Sequence, residues 1–308
     1  CFHNNVFIVS SCEFVKGFNM NIMSINIFSH DDLEEIFKMA FSFENKLRDN
    51  CMSGRIMSTL FFEPSTRTKL SFESAMIRLG GSCISADATT SSVVKGESMY
   101  DTIMTVSQYS DIIVIRTPGE IDFYYPNDIQ CDAHIINAGN AGVNHPTQAL
   151  LDAYTIWKRN FNLRRKLKIA IVGDLEQSRT ISSFIEIMSR YSSEFFLLNS
   201  TSYPSKRYEN FKNVQILDNV SFENILPHVD VLYTNRVQKE RWDNNVSKNF
   251  SLTEQHLGCL NKKALIMNPG PRREELPVDF DYDKRVVFFE QAKNGMFVRM
   301  ALLKWLYK

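Results

Sequence analysis

The stretch FFEPSTRTKLSFESAM, residues 61–76, decides the fold. The apolar run that leads into it, Ile56 to Phe62, is short and bounded by turn residues, which predicts a buried strand. Phe72, Ala75, Met76 and Leu79 then recur at the spacing of one buried helical face, and Gly80-Gly81 supplies a stop. The polar quartet Ser65-Thr66-Arg67-Thr68 therefore sits where a strand hands over to a helix. There the backbone N–H groups lack intrahelical partners and the helix dipole is positive, so an anion is favoured. Read alone, the quartet is first of all an ordinary N-cap with a solvated arginine. The rest of the chain has to separate the two readings.

Working outward, further strands are predicted at Ile112–Arg116, Ile135–Asn137, Lys168–Val172, Phe195–Asn199, Val231–Thr234 and Ala264–Met267. Helical patterns lie near Asp31–Ser42, Glu97–Tyr109, Pro146–Lys158, Arg179–Tyr191, Phe222–Leu226 and Thr253–Leu260, with a long last one over Gln291–Leu306. Strands alternating with helices predict an α/β chain of βαβ units, each sheet mostly parallel and flanked by helices. At 308 residues the chain exceeds one hydrophobic core, so two domains are expected, with a boundary near residues 146–165.

Ligands of open parallel sheets bind beyond the carboxyl ends of the strands. Each polar cluster falls at such an end: Arg116 after DIIVI, NAGVNHPTQ after HIINAG, DLEQSR after KIAIVG, NRVQ after DVLYT, and NPGPRR after ALIM. Four arginines converging on one rim suit a substrate with several negative charges. Lys+Arg and Asp+Glu are both 35, and no basic run appears, so neither a nucleic-acid nor a membrane surface is indicated. Cys1, Cys12, Cys51, Cys83, Cys131 and Cys259 are scattered without a CxxC pair, which predicts reduced thiols in a cytoplasmic setting and no structural zinc. Residues 1–20, beginning with Cys1, read as an extension of unassigned role, and VFIVSSC within it is too short to cross a bilayer.

The blocks FFEPSTRTKLSFESAMIRLGG, VKGESMYDTI, HPTQALLDAYTI, VGDLEQSRT, TNRVQKERW, NPGPR and QAKNGMFVRMALL resemble, in this order, those of the aspartate carbamoyltransferase family. The similarity runs from about Ser24 to the C-terminus. It implies transfer of the carbamoyl group of carbamoyl phosphate to L-aspartate in pyrimidine synthesis, with no cofactor and no metal. It implies a carbamoyl-phosphate domain over residues 21–146 plus 290–308, to which a C-terminal helix returns, and an aspartate domain over 147–289. Ser65, Thr66, Arg67 and Thr68 resemble the family's phosphate cradle, and Arg116 its second phosphate-side arginine. His145, Thr68 and Arg67 match the donors to the carbonyl oxygen, and Gln148 the partner of the carbamoyl amine. Arg179 and Arg236 match the aspartate-binding arginines, with Gln238 and the backbone at Pro269 and Gly270 completing that pocket. Ser91 and Lys95 match residues that enter the neighbouring subunit's site, so a homotrimer with shared sites is implied.

The chain departs from the family's HPLP block, which is NPGP here, Asn268–Pro271. Alternatives are an ornithine carbamoyltransferase, expected to carry a Cys in that block and an acidic partner for a cationic substrate, or a non-catalytic scaffold, expected to have lost cradle residues. VGDLEQSR lacks the GxGxxG spacing of a dinucleotide site.

Overall fold

The computed structural model describes residues 20–87, 96–118, 131–140, 144–159, 163, 165–201, 205–242 and 250–308. Two all-parallel sheets follow one another along the chain. The first has four strands in the order β2-β1-β3-β4: β1 (Ile56–Phe61), β2 (Ser82–Asp87), β3 (Ile112–Thr117) and β4 (His134–Asn140). The second has five in the order β7-β6-β5-β8-β9: β5 (Lys168–Gly173), β6 (Glu194–Asn199), β7 (Val214–Leu217), β8 (Val231–Thr234) and β9 (Leu265–Met267). Central strands such as Ile112–Ile115 and Ile169–Val172 are buried throughout, because helices cover both faces.

Helices α1 (His30–Asn45), α2 (Thr66–Arg78) and α3 (Met99–Ser107) accompany the first sheet. Helix α4 (Pro146–Lys158) leads to the second, which carries α5 (Arg179–Ser189), α6 (Asn219–Ile225) and α7 (Glu254–Cys259). The last helix, α8 (Phe288–Trp305), returns and packs on α1, α2 and α4. Its residues Phe297, Val298, Met300, Ala301, Leu302 and Leu303 are fully buried. That burial on nearly every side, with the side chains of α4 and α1, draws the two halves into one apolar core.

Every predicted strand and helix exists, with small changes of boundary. The consequential boundary is that of α2, which takes in part of the polar quartet, so Thr66, Arg67 and Thr68 form its first turn. Two strands, β2 and β7, escape the sequence pattern. Both are edge strands, and half-buried edges need no apolar run: in β7 the middle residues Gln215 and Ile216 are exposed. Cys51, Cys83, Cys131 and Cys259 are free thiols. No described helix is long and apolar enough to cross a membrane.

Candidate active site

The carboxyl ends of both sheets face one cleft of about 740 Å³. Strand register brings its first wall together. Phe61 pairs with Arg116, and the Phe62 N–H donates to the Arg116 carbonyl at 2.8 Å, so the turn at Glu63–Ser65 lies beside the Arg116 side chain. The β3–β4 register shifts between Ile115 and Thr117, a bulge that re-aims the strand end. Gly139 completes it: at φ +110° it favours glycine, and a Cβ there would lie 3.2 Å from both Arg116 Nη1 and the His145 ring.

Two of the helices that start on this cleft, α2 and α4, lack the side-chain cap that most helices here carry. Ser29, Ser98, Ser178, Asp218 and Thr253 cap α1, α3, α5, α6 and α7 with their side chains. Ser65 at the start of α2 and His145 at the start of α4 occupy the cap position without a capping bond. The first turn of α2 also carries no acid, where α1 has Asp31 and Asp32. Ser65 thus makes no ordinary capping bond, and the positive end of α2 faces the cleft that Ser65, Thr66, Arg67 and Thr68 line.

His145 is 4% exposed, and its backbone N–H donates to Ser183 Oγ at 2.9 Å. Burial, and then the charges of Arg116, Arg179, Arg299 and Arg67, hold its pKa well below the usual histidine value. The ring is a neutral imidazole at neutral pH, able to donate one hydrogen bond without adding a charge. Desolvation, seconded by Arg236, lowers the pKa of Arg67 although that side chain keeps contact with solvent at the cleft wall. Burial, with Arg179 beside it, pulls Arg116 down to about 10, which leaves it cationic.

The second sheet supplies the opposite wall. Arg179 opens α5, 6% exposed, its Nη1 donating to the Asn140 carbonyl at 2.9 Å. Buried Asp174 organises the segment after β8: it accepts from the backbone N–H of Gln238 (3.2 Å) and Gln177 (3.0 Å) and from Trp242 Nε1 (2.8 Å). That bracing sets Arg236, Gln238 and Arg241 along the cleft. Asn235 donates to Thr180 Oγ1 at 2.8 Å and ties the same segment to α5.

The NPGP loop follows β9. Asn268 is buried and knits it: Oδ1 accepts from the Gly270 N–H at 2.7 Å, while Nδ2 donates to Thr234 Oγ1 (3.0 Å) and Glu275 Oε1 (3.1 Å). Gly270 sits at φ +71°, and a Cβ on it would come within 2.8 Å of Arg67 Cζ. The departure from the family block is therefore accommodated, with an amide bracing the loop and the guanidinium of Arg67 filling the space beside residue 270.

Ser65, Thr66, Arg67, Thr68, Arg116, His145, Gln148, Arg179, Arg236, Gln238, Pro269 and Gly270 all line this one cleft. Ser91 and Lys95 lie outside the described residues. The sequence reading missed Glu63, Arg241 and Arg299. Glu63 pairs with Arg116 (3.0 Å), Arg179 (3.1 Å) and, more loosely, Arg241 (3.8 Å), bridging the two walls. Its signal was its place two residues before Ser65, at the same strand end. Arg299 is fully enclosed on α8, donating to Ser71 Oγ at 2.7 Å and lying over the Phe72 ring. Nothing in a long apolar helix pattern marks one arginine as facing a cleft. Buried polar atoms without hydrogen-bond partners gather here: Arg116 Nε, His145 Nδ1, Asn235 Oδ1 and Arg299 Nε. Such groups are costly unless a ligand satisfies them. Among the described residues no group of three His, Cys, Asp or Glu could hold a metal ion.

Two family models match the chain: the carbamoyl-P binding domain of aspartate/ornithine carbamoyltransferase over residues 20–158, and its Asp/Orn binding domain over residues 165–306. The aspartate carbamoyltransferase catalytic subunit of Picrophilus torridus is 42% identical over 297 residues, covering 92% of this chain and 97% of its own. That of Thermococcus gammatolerans is 40% identical over the same share of this chain. Aspartate transcarbamoylase from Trypanosoma cruzi, crystallised with carbamoyl aspartate and phosphate, superposes with a TM-score of 0.84 at 32% identity, covering 97% of this chain and 99% of that one. The catalytic subunit from M. jannaschii gives 0.82 at 36% identity, covering 93% and 97%. Joined to a cleft that gathers the cradle and arginine motifs, these matches show that the chain belongs to the aspartate/ornithine carbamoyltransferase family, on its aspartate carbamoyltransferase side.

Proposed function

We propose that this cleft transfers the carbamoyl group of carbamoyl phosphate to the amine of L-aspartate, with the first wall holding the phosphate and the second the dicarboxylate. The observation that carries the reading is the pairing of an uncapped, acid-free helix start at Ser65–Thr68 with Arg179, Arg236 and Gln238 across the same cleft. Backbone N–H groups, hydroxyls and the guanidiniums of Arg67 and Arg116 suit phosphate oxygens. Neutral His145, Thr68 and Arg67 are the donors for the carbonyl oxygen as it takes on charge. The aspartate nitrogen attacks the carbonyl carbon, the new C–N bond forms, and the bond from that carbon to the phosphate oxygen breaks. The amine's proton leaves with the departing phosphate. The protein's part is to hold two anions in reacting geometry and stabilise the oxyanion, which needs no protein nucleophile.

Among the described residues that line the cleft, Glu63 is the one acid that could meet a cationic acceptor such as ornithine, and it is already engaged by Arg116, Arg179 and Arg241. Planar guanidiniums at 179 and 236 favour a dicarboxylate. The site is shared in a homotrimer, Ser91 and Lys95 reaching from the neighbouring subunit. The free thiols of Cys51, Cys83, Cys131 and Cys259 support a reducing, cytoplasmic setting. A colorimetric assay for ureido products tests the activity. Carbamoyl aspartate is expected from aspartate and little product from ornithine, while the reverse preference, or no product from either, would overturn the reading.

A further inference from the structure

Asp152 lies one turn beyond Gln148 on α4 and is fully buried. Its Oδ1 accepts from Gln148 Nε2 at 3.0 Å and from Gln291 Nε2 at 2.8 Å, and its Oδ2 accepts from the Tyr233 hydroxyl at 2.8 Å. Gln291 then uses its other end: Oε1 accepts the backbone N–H of Asn268, at 2.9 Å, where the NPGP loop begins. An ionised carboxylate only accepts, so each glutamine must turn its amide nitrogen toward Asp152 and its carbonyl oxygen away. For Gln291 that oxygen meets the loop. For Gln148, which lines the cleft, it is left for a ligand.

We propose that Asp152 is a positioning residue which, by fixing the amide of Gln148 with its carbonyl oxygen toward the cleft, makes the site select a phosphate donor bearing an N–H group. The inference rests on the carbamoyl-transfer reading above and adds the origin of its donor specificity. Without the carboxylate, the amide of Gln148 is free to turn over and present N–H to the amine of carbamoyl phosphate. Two donors then oppose each other, whereas acetyl phosphate, with a methyl group in that place, loses nothing. A site built to hydrogen-bond a group discriminates strongly against analogues that lack it. Asp152 touches no substrate itself, and the same carboxylate holds Gln291 and so the start of the loop on the opposite wall.

The test compares carbamoyl phosphate, acetyl phosphate and inorganic phosphate on the wild-type protein and on Asp152→Asn. It is run at pH 8, above the value of about 7 to which burial raises Asp152. An amide at 152 brings its own N–H donors and lets Gln148 turn. The expected result is that carbamoyl phosphate binds roughly tenfold more weakly, one misdirected buried hydrogen bond being of that size, while acetyl phosphate and phosphate change less than about twofold. In a Gln148→Ala background, Asp152→Asn should remove no further discrimination, because the two substitutions act on one contact. Equal weakening for all three ligands, or additive losses in the double variant, would overturn the proposal in favour of a purely structural carboxylate. If Asp152→Asn does not fold, Asp152→Ser takes its place, its hydroxyl equally unable to fix the amide. Failure of both to fold also assigns the carboxylate to the fold and overturns the proposal. A wild-type protein that fails to prefer carbamoyl over acetyl phosphate sinks the carbamoyl-transfer reading itself.

Discussion

At the residue scale, the cleft holds its chemistry in a few side chains whose environments set their states. Arg67 contributes to both the phosphate cradle and the oxyanion donors, and losing one such donor costs roughly a hundred- to a thousandfold in turnover. Arg67→Ala should show that loss in a steady-state assay while its melting temperature stays close to wild type, since the side chain leans on Gly270 at the cleft wall rather than filling the core. His145 offers a pH test. In the unfolded chain it takes up a proton below about pH 6.5, whereas the native ring, depressed by burial and four arginines, does not. A depressed histidine therefore costs nothing above pH 6.5 and removes native stability as pH falls below it, by about 1.4 kcal/mol per pH unit. His145→Asn has no proton to bind. Its stability deficit relative to wild type should shrink by about 1 kcal/mol between pH 7 and pH 5.5 in denaturant titrations. A constant deficit would show that the native ring takes up its proton as readily as the unfolded chain does.

At the element scale, what distinguishes α2 is its start. Five helices, including α5 on the cleft, are closed by a capping side chain; α8 is not, and neither are α2 and α4, which open on the cleft. Their N–H groups are left for a ligand, which is less stabilising for the free protein. Ser29→Ala removes the capping box of α1 and should cost about 1 kcal/mol in stability with little effect on turnover. Ser65→Ala should do the opposite, costing less than about 0.5 kcal/mol and weakening phosphate binding measurably by calorimetry. If Ser65→Ala destabilises the protein as much as Ser29→Ala, the hydroxyl is a cap after all.

At the scale of the whole molecule, α4 and α8 join the two halves into one core, and Glu63 from the first sheet meets Arg179 and Arg241 from the second. The proposed trimer extends the same logic between subunits. If Lys95 serves the neighbouring site, Lys95→Ala and Arg67→Ala chains should each be nearly inactive alone. Mixed by denaturation and reassembly in equal amounts, about three quarters of cyclic trimers contain both, with about one intact site in three, so recovery of about a quarter of wild-type activity is expected. Activity no higher than that of the separate variants, in a sample shown by mass to contain mixed trimers, would place Lys95 in its own subunit's site or in none.

The sequence by itself determined the alternation of strand and helix, the parallel class of both sheets and the motif residues at the strand ends. Those features are written in local periodicity and turn chemistry, which act over a few residues. It could not show the edge strands β2 and β7, whose short, half-exposed runs carry little pattern, nor the role of Glu63, which depends on Arg179 116 residues away and on strand register. That Ser65 leaves its helix uncapped, that burial and then four arginines hold His145 neutral, and that Asp152 faces Gln148, Gln291 and Tyr233 at once were decided only by the tertiary structure. Each depends on burial and on the juxtaposition of elements distant in the chain, and desolvation and hydrogen-bond geometry exist only once those elements have packed.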